Sequence, residues 1–144
     1  MNSNPANPNK ALWEKGDFTR IAGSMRASGE ALARTLGIAP GLRVLDLGCG
    51  DGTTALPQAK LGAEVLGVDI ARNRVEAGNR RAREHGLGNC RFQEGDATNL
   101  HELKDQSFDL VVSIFDLFIS QNQSPNRNAT SIPASFLRVT VTRG

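Results

Sequence analysis

The stretch Leu42-Arg43-Val44-Leu45-Asp46-Leu47-Gly48-Cys49-Gly50-Asp51, continuing Gly52-Thr53-Thr54, constrains the chain more than any other. A segment that reads as a buried strand, residues 43–47, enters three glycines at alternate positions, Gly48, Gly50 and Gly52. A segment with helical character, residues 55–61, follows at once. Strand, glycine turn and helix start in that order set backbone N–H groups at the carboxyl edge of a parallel sheet. Open α/β sheets hold their ligands there.

Periodicity organises the rest around this turn. Residues 17–36 read as one amphipathic helix, with Ile21, Met25, Leu32 and Leu36 near one face, Asp17 or Thr19 able to cap it and Gly37 ending it. Gly23 and Gly29 each weaken that helix by about 1 kcal/mol relative to alanine. Trp13 and Phe18, just before it, suit core packing, with cover for a ligand as the alternative. The helix at residues 55–61 tolerates Pro57 only in its first turn. A second strand at residues 64–69 completes a βαβ unit, expected to be right-handed. A helix at residues 71–85 follows, its narrow face of Ala71, Val75, Gly78 and Ala82 suited to close approach to a sheet. Strands at residues 89–94 and 108–114 come next, with one helical turn near Leu100 and Leu103 between them. Alternating strands and helices predict a doubly wound α/β domain.

Composition narrows the function classes. With 144 residues, 39% hydrophobic and 22% charged, the chain reads as one domain with an ordinary globular balance. No apolar run approaches the roughly 20 residues of a membrane span. Residues 2–9 lack the basic start and apolar core of a secretory signal and read as a frayed tail. Cys49, Cys90, His85 and His101 have no zinc spacing, so no metal is expected, and two isolated thiols suit a cytoplasmic chain. A net charge of +2 is too mild to argue for nucleic acid. The arginines at 72, 74, 80, 81 and 83, interleaved with Glu76 and Glu84, read as a solvated helix face.

The glycine spacing selects among ligands. A phosphate-binding loop needs a Gly-Lys-Ser/Thr ending, which is absent. The dinucleotide fingerprint places its third glycine three residues after the second, where this chain has Thr53; its third glycine is Gly52. Asp46, two residues before Gly48, would repel a pyrophosphate but suits an ammonium or other cation. Asp69 closes the second strand 21 residues after Gly48, near the offset for accepting from ribose hydroxyls. Asp96 follows the third strand and can accept from an exocyclic amine. Three carboxylates at three successive strand ends match a nucleoside joined to a cationic amino-acid tail. Helix capping is the alternative role for Asp46 and Asp69, and a structural one is open for Asp96.

This set resembles the class I S-adenosylmethionine-dependent methyltransferases, in the small-molecule branch that includes the ubiquinone and menaquinone methyltransferases. Val44-Leu45-Asp46-Leu47-Gly48-Cys49-Gly50-Asp51-Gly52 looks like the family's first motif, and Gly67-Val68-Asp69-Ile70 like its second-strand acidic motif. Gly95-Asp96-Ala97 looks like the adenine-side loop, and Ser107-Phe108-Asp109-Leu110-Val111-Val112 like the fourth strand. The resemblance implies a Rossmann-like, mostly parallel sheet of four to five strands in the order 3-2-1-4. It implies S-adenosylmethionine as cofactor and a small-molecule acceptor. Gly48, Gly50 and Gly52, with Cys49 between them, would admit the methionine part, and Asp46 would assist its amino group. Asp69 would hold the ribose hydroxyls, Ile70 would flank the adenine, and Asp96 with Ala97 would contact its amino edge. Methyl transfer from a sulfonium needs mainly in-line positioning, so no general base is named.

Beyond residue 114 the character changes. Residues 115–144 contain no Lys or Glu, one Asp and three Arg, and twelve of the thirty positions are Ser, Thr, Asn or Gln. A strand at residues 136–142 and a loop at 121–131 are the expectations there. The division is a flexible tail at 1–10, a cofactor-binding domain at 11–114 and a divergent segment at 115–144. The break leads us to expect a shortened, incomplete domain that retains the cofactor half of the site. A catalytically inactive cofactor-binding fragment is then the first alternative, and a nicotinamide-dependent dehydrogenase domain a second that the glycine spacing opposes.

Overall fold

Four strands form the centre of the molecule, β1 (Arg43–Leu47), β2 (Glu64–Asp69), β3 (Cys90–Glu94) and β4 (Leu110–Ser113), all but β3 rich in valine and leucine. They make one sheet in the order β3-β2-β1-β4, every pair parallel, as expected. The computed structural model describes residues 7–15 and 19–114. The segment 115–144 with its anticipated strand, Asp17, Phe18 and most of the expected tail lie outside them. Among the described residues no helix is long and apolar enough to cross a membrane.

The helices are α1 (Lys10–Trp13), α2 (Thr19–Ser24), α3 (Arg26–Thr35), α4 (Ala55–Lys60) and α5 (Arg72–Glu84). Strand alternation divides the apolar residues between two sheet faces. Val44, Val65, Phe92, Leu110 and Val112 pack with Cys49, with Ala55, Leu56 and Ala59 of α4, and with Val75 and Ala82 of α5. On the other face Leu45, Leu66 and Val68 pack with Leu47, Leu100, Leu103 and Phe108. The register sets Leu47 beside Val68 and Ser113, and Asp69 beside Glu94, so the carboxyl ends of all four strands form one edge.

Small residues let helices and sheet approach closely. A methyl group on Gly78 of α5 would lie 2.8 Å from the Phe92 ring, and one on Gly67 of β2 would lie 2.6 Å from it. Real Cβ contacts are not that short, so Phe92 occupies the volume that side chains at 67 and 78 would need. The narrow face predicted for α5 is the buried one: Ala71, which caps its start, Val75, Gly78 and Ala82 are all buried.

Three expectations are corrected. The helix expected at 17–36 is interrupted at Met25, where the chain tightens through Met25 N–H to Ala22 O. The Ser24 hydroxyl donates to Ile21 O at 2.7 Å, competing for a helix carbonyl, and Gly23 sits beside it. Of the anticipated apolar face, Ile21 is exposed and Met25 half-buried, while Leu32 and Leu36 do pack against the core, together with Gly29 and Ala33. Gly29 is not merely a weak point. A Cβ there would collide with the Thr53 carbonyl, so its absence lets α3 lie against the glycine turn. The single turn expected near Leu100 and Leu103 is present, with Leu103 N–H donating to Leu100 O at 2.9 Å.

Candidate functional site

The three glycines of the turn adopt left-handed backbone, with φ of 65° at Gly48, 55° at Gly50 and 89° at Gly52, which explains glycine at alternate positions. Their surroundings differ. A side chain at Gly50 would meet open space, whereas one at Gly52 would run into Leu56 and the Phe92 ring. Gly52 thus serves packing, and Gly50 is the open position of the turn.

The turn's N–H groups do not point outward as the sequence suggested. Gly48 and Cys49 donate to Val68 O at 2.8 and 3.2 Å, Gly52 donates to Cys49 O at 3.0 Å, and Gly50 donates to Asp69 Oδ2 at 2.8 Å. The turn is stitched to the end of β2. The Cys49 side chain is buried against Gly67, and burial pushes its thiol pKa well above the ordinary value. Cys90 behaves similarly, its thiol pushed up to about 12 by burial.

Asp69 is 5% exposed, and its other oxygen accepts from Ala71 N–H at 2.9 Å, at the start of α5. It therefore braces the turn and caps a helix at once. A carboxylate has about four lone-pair positions, so capacity for ribose hydroxyls remains. Asp46 is different. It lies on β1 between Gly67 and Val112, is 2% exposed, and its Oδ2 has no hydrogen-bond partner among the described residues. Burial first, then the charge of Asp69, raises its pKa to about 8. Capping is not its role, because no helix start receives it.

Asp51, between Gly50 and Gly52, escaped the sequence reading. It is 5% exposed and is gripped from both sides. Arg26 of α3 holds it with two bonds, Nη1 to Oδ1 at 2.8 Å and Nη2 to Oδ2 at 2.5 Å, and donates also to Thr53 Oγ1. Arg81 of α5 donates to its main-chain oxygen at 2.5 Å and lies 3.6 Å from Oδ1. The α5 arginines are thus not a uniformly solvated face. Arg72 pairs with Glu94, and Arg74 lies over the Trp13 ring, 5.2 Å from its centroid. Trp13, half-buried, accordingly meets a half-buried cation instead of packing into the apolar core. Burial lowers the pKa of Arg74 and of Arg81 from the ordinary guanidinium value. The sequence offered only a weak pointer to this group, a carboxylate between two glycines of the turn; nothing local marked Arg26 and Arg81 as its partners.

On the far side of β2 lies a cavity of about 480 Å³ lined by Val68, Ile70, Gly95, Asp96, Leu100 and Leu103, with Asn7, Lys10, Arg72, Glu94 and His101 at its margin. Its size is that of a small-molecule site. Asp96 accepts from Thr98 N–H and Oγ1 through one oxygen and from Asn7 Nδ2 at 2.9 Å through the other. These bonds lower its pKa from the ordinary carboxylate value. Ala97 is exposed and does not line the cavity. Lys10 and Arg72 both bond Glu94, and Glu14 accepts from Arg72 N–H at 3.2 Å, so residues 7–14 are fastened across the cavity margin. The structure therefore brings Asp46, Asp69 and the glycines together, and sets Ile70 and Asp96 in the cavity just beyond Asp69. Among the described residues no cluster of His, Cys, Asp and Glu could hold a metal.

The strand order, the stitched turn and the carboxylates at three strand ends can now be set beside known proteins. The family of methyltransferase domains matches residues 38–139. The chain belongs to that family. An uncharacterised protein of Mycobacterium tuberculosis is 37% identical over 105 residues, covering 72% of this chain and 38% of the relative. The ubiquinone biosynthesis O-methyltransferase of Maricaulis maris is 40% identical over 74 residues, 51% of this chain and 29% of that enzyme. Among solved structures, phosphoethanolamine N-methyltransferase 1 of Haemonchus contortus, in complex with phosphoethanolamine and S-adenosylhomocysteine, superposes with a TM-score of 0.60 at 26% identity. That match covers 72% of this chain and 24% of the enzyme. Ribosomal-RNA methyltransferases are among the further relatives. The chain spans about two fifths of the length of the mycobacterial relative, and less of the others. The resemblance drawn from the motifs holds at the level of family and fold.

Proposed function

We propose that the chain binds S-adenosylmethionine at the glycine turn and the adjoining cavity and transfers its methyl group to a small-molecule acceptor. The observation that carries this reading is the buried Asp46 carboxyl, which has an oxygen without a partner among the described residues beside a turn whose Gly48, Cys49, Gly50 and Gly52 N–H groups are already used. Such an orphan costs about 1–3 kcal/mol unless a ligand donates to it, and an amino-acid ammonium is the donor that fits. Asp69 would accept from the ribose hydroxyls through its remaining lone pairs, Gly50 would admit the methionine chain, and Ile70 and Asp96 would contact the base. Bound there, the cofactor supplies a methyl group on a sulfonium, which needs an aligned nucleophile more than a protein base. The chain's part is to hold the ligand in place.

Family membership sets the nicotinamide reading aside. A small-molecule acceptor is favoured over RNA because Arg72, Arg74 and Arg81 of the α5 cluster are engaged with Glu94, Trp13 and Asp51. The two buried free cysteines agree with a cytoplasmic setting.

Calorimetric titration with S-adenosylmethionine, S-adenosylhomocysteine and NAD tests the reading. Both sulfur nucleosides should bind and NAD should not. Asp69→Ala should weaken binding by at least tenfold, and an unchanged affinity would refute its assigned contact. Binding without methyl transfer to any acceptor pool would reduce the chain to a cofactor-binding module.

A further inference from the structure

Among the described residues, Asp46 is the one buried carboxyl of the turn left without a counter-charge or a donor at Oδ2. Asp51 has Arg26 and Arg81, and Asp69 has two backbone donors. Among the described residues, the groups that face Asp46 add no positive charge. Asp69 approaches from the end of β2, Cys49 from the turn and Cys90 from β3, and both thiols are held in their neutral form by burial. From β4 comes Val112, and α4 brings Ala55, Leu56 and Ala59 to the same sheet face. The α5 arginines act on its neighbours: Arg81 on Cys90 and Asp51, Arg74 on Asp69, Asp51 and Cys49. A carboxyl this deep, beside a second carboxylate and with no cation facing it among the described residues, keeps its proton until a positive charge arrives.

We propose that loading the site with its cationic amino-acid ligand expels one proton from Asp46, so that cofactor affinity rises with pH across the neutral range. The inference rests on the cofactor reading above. The Asp46 O–H bond breaks, the proton passes to solvent, and the carboxylate formed accepts from the ligand's ammonium. An α-amino group titrates near 7.7–8.0, so at about pH 6.5 the ligand is already protonated and the released proton comes from the protein. The raised pKa of free Asp46, about 8, sets the upper end of the window. Below it, one released proton corresponds to about a tenfold gain in affinity per pH unit.

The test is calorimetry of S-adenosylhomocysteine binding to the 144-residue chain at about pH 6.5, in two buffers of different ionisation enthalpy. About one proton should be released per ligand bound. Asp46→Asn, nearly isosteric and unable to ionise, should bind with no release and a flatter pH profile. That comparison also separates Asp46 from His101, which lines the cavity. Heats independent of buffer in the unmodified chain would overturn the linkage while leaving cofactor binding intact. No binding at any pH would overturn both readings. Should Asp46→Asn fail to fold, infrared difference spectra of the unmodified chain decide. Loss of a protonated-carboxyl C=O band on adding ligand supports the proposal, and its persistence refutes it.

Discussion

The two ends of the candidate site are held by opposite means. At the glycine turn, charges are buried: Asp51 lies between Arg26 and Arg81, Asp69 is bonded to backbone, and Asp46 is left over. At the cavity, charges are at the margin: Lys10 and Arg72 on Glu94, and Asn7 on Asp96, all part-exposed, join an N-terminal segment whose helix α1 buries no residue. Buried pairs are costly to break, whereas exposed pairs contribute little and weaken with salt. The difference teaches that the amino-acid end is shaped before any ligand arrives, while the nucleobase end is closed by contacts that are easily exchanged.

The strongest way to break the first half of that contrast is Gly52→Ala. At a φ of 89°, with Leu56 and Phe92 in the way, it should cost about 3 kcal/mol in denaturant unfolding, and more if the ring cannot shift. Next is Arg26→Ala, which leaves the nearly buried Asp51 to Arg81 alone. It should cost about 2 kcal/mol by the same measurement, and a loss within 0.5 kcal/mol would show that the turn needs no bracing from α3.

The comparison is sharpened last through pH, with the smallest mutational effect expected at Lys10. Asp46 has a raised pKa, so the folded state holds a proton that the unfolded state releases above about pH 4. Its contribution to stability is therefore largest in acid and is lost as pH rises toward about 8, by at most about 1.4 kcal/mol per unit. Glu94 has a lowered pKa, first through Lys10 and then Arg72; its contribution stands above the ordinary glutamate range and is lost as pH falls through the shifted value. Lys10→Met should remove part of that acid limb, with less than about 1 kcal/mol lost at neutral pH and the loss shrinking in high salt. Urea unfolding across pH would show the two limbs with opposite slopes. A Lys10→Met effect as large as that of Arg26→Ala would erase the contrast.

Periodicity made the strands, α4 and α5 legible, because each buries a face whose spacing is written in neighbouring residues. The glycine spacing and the strand-end carboxylates were equally local signals. What sequence could not show depends on partners far along the chain. Arg26 meets Asp51 across 25 residues and Asn7 meets Asp96 across 89. A helical arginine looks the same in sequence whether it faces solvent or a buried carboxylate. The break at Met25 turned on which way the Ser24 hydroxyl pointed, and the turn's inward N–H groups on the register of β1 with β2.

The Phe92 ring stands where side chains at Gly52, Gly67 and Gly78 would be. In terms of mutational history, these four positions form one interlocked unit: no glycine among the three can gain a side chain while the ring keeps its size and place. A smaller residue at 92 would have to come first, and even then Leu56 would still block position 52 and the Cys49 sulfur position 67. That step would open a void behind the glycine turn, so drift at a site remote from the ligand is checked by the need to keep the turn filled from behind.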